Sequence, residues 1–331
     1  MIPRLISFLL LVHLVASFKY LVFNPQIFKS HATHIGKIAD ILVEEGHDVV
    51  VVSSKTDGTV GTPGAKKARL SQCAKAKAAE EWQFGPGGMI HNAWLKEDPT
   101  ILFLTFDILF EAYAAQCNAT LHTPGLLDML RAEKFDAACA ETMDLCGFGI
   151  IHMLGIKKFA VCQSLPAINQ DFTTHMPYTV SYVPGLLATV GEKMSFFERA
   201  RNGISTLLGR WCVTRNLPHW QKVFNEFEPG FPALEEVVAN ASLVFVNTEP
   251  LTDFPRPVAA RIIDYGGIAV SVNPSGHLEE QWSDVLNLRP QTVLISFGTF
   301  VKSFLMPQAY KTNIRKTLEK FPNVTFIWHY D

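Results

Sequence analysis

The sequence predicts an α/β protein built on a parallel sheet, and two strand–helix–strand units carry that prediction. Residues 18–23, a helical stretch with Ile35, Ile38, Ala39 and Leu42 on one face, and residues 48–53 form the first unit. Residues 135–140, a short helix over 143–154 and residues 158–162 form the second. A strand, a helix and a strand in so short a span imply parallel pairing through a right-handed crossover. The run Asp-Val-Val-Val-Val-Ser from Asp48 is β-branched throughout its centre, as in a strand buried on both faces.

The elements follow in order. Arg4 precedes an apolar run over residues 5–15, and Val15-Ala16-Ser17 places small side chains where a signal peptidase cuts. Residues 1–17 are therefore expected to be a signal peptide, since the run is shorter than the ~20 residues of a membrane span. Asn24-Pro25 ends the first strand, a loop carries Ser30-His31, and Gly46 stands where a helix C-cap belongs. Gly58, Gly61, Pro63 and Gly64 mark a loop, and the Ala/Lys-rich residues 65–81 are expected to form a surface helix. Helices are expected over 100–115 and 121–132, and the strand over 135–140 ends at Glu141. Residues 164–228 contain Pro166, Pro177, Pro184 and Pro218 and read as helices and long loops, the kind of insertion that builds a substrate pocket. A strand is expected over 241–247.

Residues 271–290, rich in Pro, Gly, Ser and Asn, read as a linker. After them come a strand over 292–297, a turn at Gly298-Thr299, a helix over 307–320 and a strand over 324–328. A unit of ~40 residues does not normally hold a core of its own. The expected organisation is thus a signal peptide (1–17), a main Rossmann-like domain (18–270), a linker (271–290) and the incomplete start of a second domain (291–331).

Composition narrows the function classes. With 331 residues, 48% hydrophobic, 18% charged and a net charge of -2, nothing marks a nucleic-acid binder. Lys66, Lys67 and Arg69 read as a solvated loop. The six cysteines have no C-x-x-C spacing, which argues against zinc, and no disulfide pairing follows from the sequence. The first strand–helix turn lacks G-x-G-x-x-G, which argues against a dehydrogenase. Sequons at Asn118, Asn240 and Asn323 fit a secretory route.

His31 is the first candidate for chemistry. It follows the first strand, at the carboxyl edge of a parallel sheet where ligands bind. Histidine is the side chain best suited to removing a proton near neutral pH. A carboxylate that orients the ring strengthens such a base, and Glu141 at the end of a later strand is the candidate partner.

Several stretches together resemble the animal UDP-glycosyltransferases, with nematode-like members closest. They are Ser30-His31, Ile38-Ala39-Asp40, Glu45-Gly46-His47-Asp48-Val49, Ser181-Tyr182-Val183-Pro184, and Met194-Ser195-Phe196 with Glu198-Arg199 and Asn202. The most specific block runs from Asn247-Thr248-Glu249-Pro250 through Asp253-Phe254-Pro255-Arg256-Pro257 to Gly266-Gly267-Ile268. Ser296-Phe297-Gly298-Thr299 and Phe326-Ile327-Trp328 resemble the opening of the family's donor domain.

The resemblance implies the GT-B architecture of two facing Rossmann-like halves. It implies inverting transfer of glucuronic acid or glucose from a UDP-sugar to a hydroxyl of a small lipophilic acceptor, without metal or other cofactor. On the family pattern His31 is the base and Glu141, where many vertebrate members have Asp, its partner. Ser296, Gly298 and Thr299 approach the diphosphate. The resemblance further implies the endoplasmic reticulum lumen, with secretion as the alternative, homo- or hetero-oligomers with other family members, and a membrane helix that this chain lacks. The family's main nucleotide signature is also absent, so an inactive acceptor-binding or regulatory partner of longer transferases is the alternative expectation.

Overall fold

The computed structural model describes residues 17–26, 28–55, 64–85, 89–94, 99–165, 176–185, 188, 190–270, 278–298 and 301–330. The signal peptide expected over 1–17 lies outside them except for Ser17, and Thr299 lies outside as well. β1 (Lys19–Gln26), α1 (Lys29–Glu44) and β2 (Asp48–Lys55) form the first unit. β1 and β2 pair in parallel from Lys19 opposite Asp48 to Gln26 opposite Lys55. Gly46, just past α1, has φ 88°, a conformation that costs glycine nothing and lets the chain turn directly into β2.

The structure departs from expectation first at the start of α1. Ser30 and His31 lie in its first turn, not in a preceding loop. Phe28 at the N-cap makes no side-chain cap, so the sequence carries no start signal there.

A second departure follows. β3 (Arg69–Gln72) and α2 (Lys77–Phe84) occupy the stretch expected as one surface helix. The Asp40 carboxylate accepts backbone N–H bonds from Lys66 and Lys67 at 2.8–3.0 Å, and the chain then runs parallel to β2. Ladder pairing at an open sheet edge outweighs a modest helix propensity.

Beyond α3 (Met89–Asn92), one long helix α4 (Pro99–Leu121) and a short α5 (Leu126–Glu133) replace the two similar helices expected, with the break at 122–125. β4 (Ala137–Ala140), α6 (Cys146–Met153) and β5 (Phe159–Gln163) build the second unit. α7 (Phe196–Thr214), α8 (Leu217–Phe227) and α9 (Leu234–Ala239) lead to β6 (Leu243–Val246) and β7 (Ile262–Asp264). β7 is three residues long and half exposed, too short for periodicity to announce it. The seven parallel strands run in the order β3-β2-β1-β4-β5-β6-β7.

Alternation along β1 sorts the core. Leu21 and Phe23 face α4, α6 and α8, meeting Tyr113, Phe148, Trp220 and Phe224. Val22 faces the other way, into α1 at Ile35 and Ala39. Gly147 lets α6 settle directly on the sheet. A Cβ there would lie 2.7 Å from both Ala140 Cβ and Phe23 Cγ.

The motif residues of α7 act locally. Ser195 and Glu198 form a reciprocal capping box, and the Asn202 side chain binds Gly185 N, Val180 O and Val183 O at 2.7–2.8 Å. The aromatics of this region divide: Trp220 fills core, whereas Phe196, Phe197 and Trp211 are exposed.

The stretch expected as a linker contains a helix, α10 (Glu280–Asn287), which buries no residue. β8 (Gln291–Ile295), α11 (Gln308–Leu318) and β9 (Val324–Trp328) then form a separate two-stranded parallel sheet. Trp94 bridges to this unit, donating Nε1–H to the Lys302 carbonyl at 2.8 Å and meeting Phe297 edge-on.

A disulfide that the sequence did not announce joins Cys117 at the end of α4 to Cys146 at the start of α6, with Cα atoms 5.4 Å apart. It closes a 29-residue separation. Replacing both cysteines with serine is expected to lower stability by about 3 kcal/mol, read from the urea midpoint of each form.

Candidate active site

The site forms at the carboxyl edge of the sheet, where β1, β4 and β5 lie side by side. After β1 the chain turns into α1, whose third residue is His31. The residue immediately after β4 is Glu141, and the one immediately after β5 is Ser164. Parallel strands deliver their C-terminal ends to one edge, so residues far apart in sequence converge there.

His31 and Glu141 meet as the sequence pairs them. Nδ1 of His31 lies 2.9 Å from both carboxylate oxygens of Glu141. Glu141 is fully buried and His31 is 6% exposed. Phe28 packs against the imidazole with ring centroids 5.6 Å apart. Asn24, at the end of β1, donates to the Ala32 carbonyl at 3.0 Å and ties the start of α1 to the sheet.

Ser164 is the functional candidate that sequence reasoning missed. Its backbone N–H donates to Glu141 Oε1 at 3.0 Å and its hydroxyl donates to the same oxygen. The hydroxyl oxygen also lies 2.7 Å from His31 Nδ1. The available signal was positional: Ser164 directly follows a strand-like run, as Glu141 does.

Burial pushes the Glu141 carboxyl up, but the His31 imidazole and the Ser164 donors pull it down further, and it sits below the usual carboxylate range. An ionised acceptor fixes the tautomer of its partner: the only proton His31 can place between Nδ1 and a carboxylate is its own. In the neutral ring Nδ1 is therefore the N–H, and Nε2 is the nitrogen that carries the lone pair. Nε2 has no hydrogen-bond partner among the described residues. The arrangement can accept a proton from a hydroxyl and stabilise the imidazolium that results.

His34, one turn along α1, belongs to a second tier. It donates from Nε2 to the Tyr265 hydroxyl at 2.5 Å, and Tyr265 in turn donates to the Gln163 carbonyl at 3.1 Å. Burial holds the His34 pKa below its ordinary value. Ser296 and Gly298 lie beyond β8. The Ser296 hydroxyl accepts the Gly298 N–H at 3.3 Å, and Gly298 has φ 77°. No hydrogen bond joins these two residues to His31 or Glu141 among the described residues. Among the same residues, no group of three or more His, Cys, Asp or Glu is arranged to hold a metal ion.

The model of the family described as UDP-glucoronosyl and UDP-glucosyl transferase matches residues 19–331. The chain is 26% identical over 336 residues to the UDP-glucuronosyltransferase-type protein ugt-48 of Caenorhabditis elegans, covering 99% of this chain and 63% of that one. It is 28% identical over 330 residues to ugt-47 of Caenorhabditis briggsae, covering 96% and 60%. The chain thus spans less than two thirds of the length of these curated relatives. Its fold resembles the crystal structure of the glycotransferase of kitacinnamycin, with TM-score 0.55, 11% identity, and 95% of this chain and 66% of that one covered. That likeness shows the fold, a GT-B arrangement.

A second buried carboxyl stands three residues from Glu141. Asp144 accepts from Cys146 N at 3.0 Å and from Trp220 Nε1 at 3.2 Å. Burial pushes it up to about 7. Its folded pKa lies above the unfolded value, so the unfolded chain releases this proton first as pH rises. Stability is therefore lost between about pH 4 and 7 and stays lost above. Asn keeps both acceptor contacts without the charge. Asp144→Asn is expected to match the wild type near pH 4 and exceed it by roughly 2–4 kcal/mol at pH 8, read from urea unfolding at both pH values.

Proposed function

Because the chain belongs to the UDP-glucuronosyl and UDP-glucosyl transferase family, we propose that it serves inverting transfer of a hexosyl group, glucuronic acid or glucose, from a UDP-sugar to a hydroxyl of a small lipophilic acceptor. The observation that supports this reading most is the 2.9 Å approach of His31 Nδ1 to a fully buried Glu141. In the proposed step the acceptor hydroxyl sits against Nε2. Its oxygen attacks the anomeric carbon from the face opposite UDP. The bond from that carbon to the diphosphate oxygen breaks, UDP leaves with the electron pair, and the hydroxyl proton ends on Nε2. Glu141 stabilises the imidazolium, and general-base catalysis by the positioned imidazole contributes ~10²–10⁴ in rate.

On the donor side the proposal gives Ser296, Gly298 and Thr299 the diphosphate. The left-handed turn at Gly298 suits it, because a backbone turn there can offer N–H groups to phosphate oxygens. No metal is required by this scheme, since the base needs only the carboxylate. For location we propose the lumen of the endoplasmic reticulum. The Cys117–Cys146 bond fits an oxidising compartment, and Asn118, Asn240 and Asn323 are exposed.

Asn at position 31 can still donate a hydrogen bond toward Glu141 but cannot take up a proton. His31→Asn is expected to lower kcat at least ~10²-fold with UDP-glucuronic acid or UDP-glucose and a phenol acceptor. The donor's Kd, from isothermal titration, should stay within about twofold, because His31 faces the acceptor. A variant that keeps most of its activity removes His31 from the mechanism. A wild-type chain that binds neither UDP-sugar overturns the reading of this chain as a transferase.

A further inference from the structure

Three strands that are neighbours in the sheet each end in a residue joined to the next by a hydrogen bond. Glu141 follows β4, Ser164 follows β5 and Asn247 follows β6. Asn247 Nδ2 donates to the Ser164 carbonyl at 2.9 Å. Ser164 gives its N–H and its hydroxyl to Glu141, and its oxygen stands 2.7 Å from His31 Nδ1. The chain of contacts runs Asn247, Ser164, Glu141, His31 along the edge of the sheet.

We infer that Ser164, set in place by Asn247, is the positioning residue that orients the His31–Glu141 pair, so that Nε2 faces the acceptor. The inference rests on the transferase reading above only for its kinetic consequences. Nothing beside Ser164 activates it as a nucleophile: its hydroxyl donates to Glu141, a carboxylate held below its ordinary pKa and so a weak base, and its oxygen stands at Nδ1, the nitrogen already engaged by Glu141. What Ser164 does is occupy Oε1. A buried carboxylate with one anchored oxygen cannot rotate, and its second oxygen is held toward the imidazole. Without the hydroxyl, Glu141 keeps the backbone N–H of residue 164 but loses its lateral support, and the imidazole gains a route to the other tautomer.

The pair is also exposed to other groups packed around it. His34 on α1, Tyr113 on α4, Asp144 in the turn after Glu141, Cys162 on β5 and Tyr265 after β7 all feel the charge of Glu141. None of these groups donates a hydrogen bond to Glu141, whereas Ser164 donates two. Losing one donor makes the carboxylate hold a proton, and the imidazolium, more firmly. The acid limb of the kcat/KM profile then moves to higher pH.

The test compares wild type, Ser164→Ala, Ser164→Thr and Asn247→Ala. In imidazole-15N spectra at pH 7.5, Ser164→Ala is expected to raise the share of the His31 Nε2–H tautomer. Ser164→Thr, which keeps the hydroxyl, should restore the wild-type spectrum, and Asn247→Ala should fall between the two. In turnover, Ser164→Ala should lower kcat roughly 10–100-fold, with KM within twofold and the acid limb shifted up. A wild-type tautomer ratio in Ser164→Ala overturns the inference, as does a loss of activity with an unmoved acid limb, which would mark a purely structural serine. The spectra do not depend on turnover: if no form transfers sugar, the transferase reading fails while the tautomer result still decides the role of Ser164.

Discussion

A carboxylate with no access to water organises this site. Glu141 is taken fully out of solvent, a cost of several kcal/mol for an unpaired ion, and its charge persists because an imidazole and two Ser164 donors surround it. Every one of those groups is delivered by the end of a parallel strand or the helix that follows one. Remove the sheet's register and the donors no longer converge. The fold and the charge are therefore one problem: β1, β4 and β5 must lie in that order for Glu141 to be ionised at all.

Asp144 shows what happens without such company. It is buried to the same degree, three residues away, and accepts two N–H bonds, but among the described residues no cation and no hydroxyl donates to it. It rises to about 7 while Glu141 falls. Two carboxyls in one turn are thus driven apart by their partners, the pattern that separates acid from base roles in many sites. The Cys117–Cys146 bond begins α6 two residues beyond Asp144, and Gly147 lets that helix lie directly on the sheet. The turn carrying both acids is pinned at each end, by β4 before it and by the disulfide after it.

Much of this was legible in the sequence because it rests on periodicity and strand ends. The β-branched run from Asp48 and the apolar runs at 18–23 and 135–140 fix three of the central strands, and the end of a parallel strand is where a functional residue stands. His31 and Glu141 follow from that rule and from the family motifs. Other features left no local signal. β3 exists because an exposed sheet edge offered a ladder and Asp40 held the backbone ahead of it, both tertiary facts. The disulfide joins cysteines whose proximity depends on how α4 crosses the sheet. Ser164 looks like any serine after a strand until β4 and β5 are known to be neighbours, and the helical placement of His31 was hidden by a first turn with no side-chain cap.

The central claim is that Glu141 holds the proton of His31 on Nδ1 and leaves Nε2 bare. Neutron diffraction from crystals of the deuterated chain at neutral pH observes that proton directly. The account predicts a deuteron on Nδ1 pointing at the Glu141 carboxylate, a deuteron on the Ser164 oxygen directed at the same group, and none on Nε2. A deuteron on Nε2, or on a Glu141 oxygen, would contradict it.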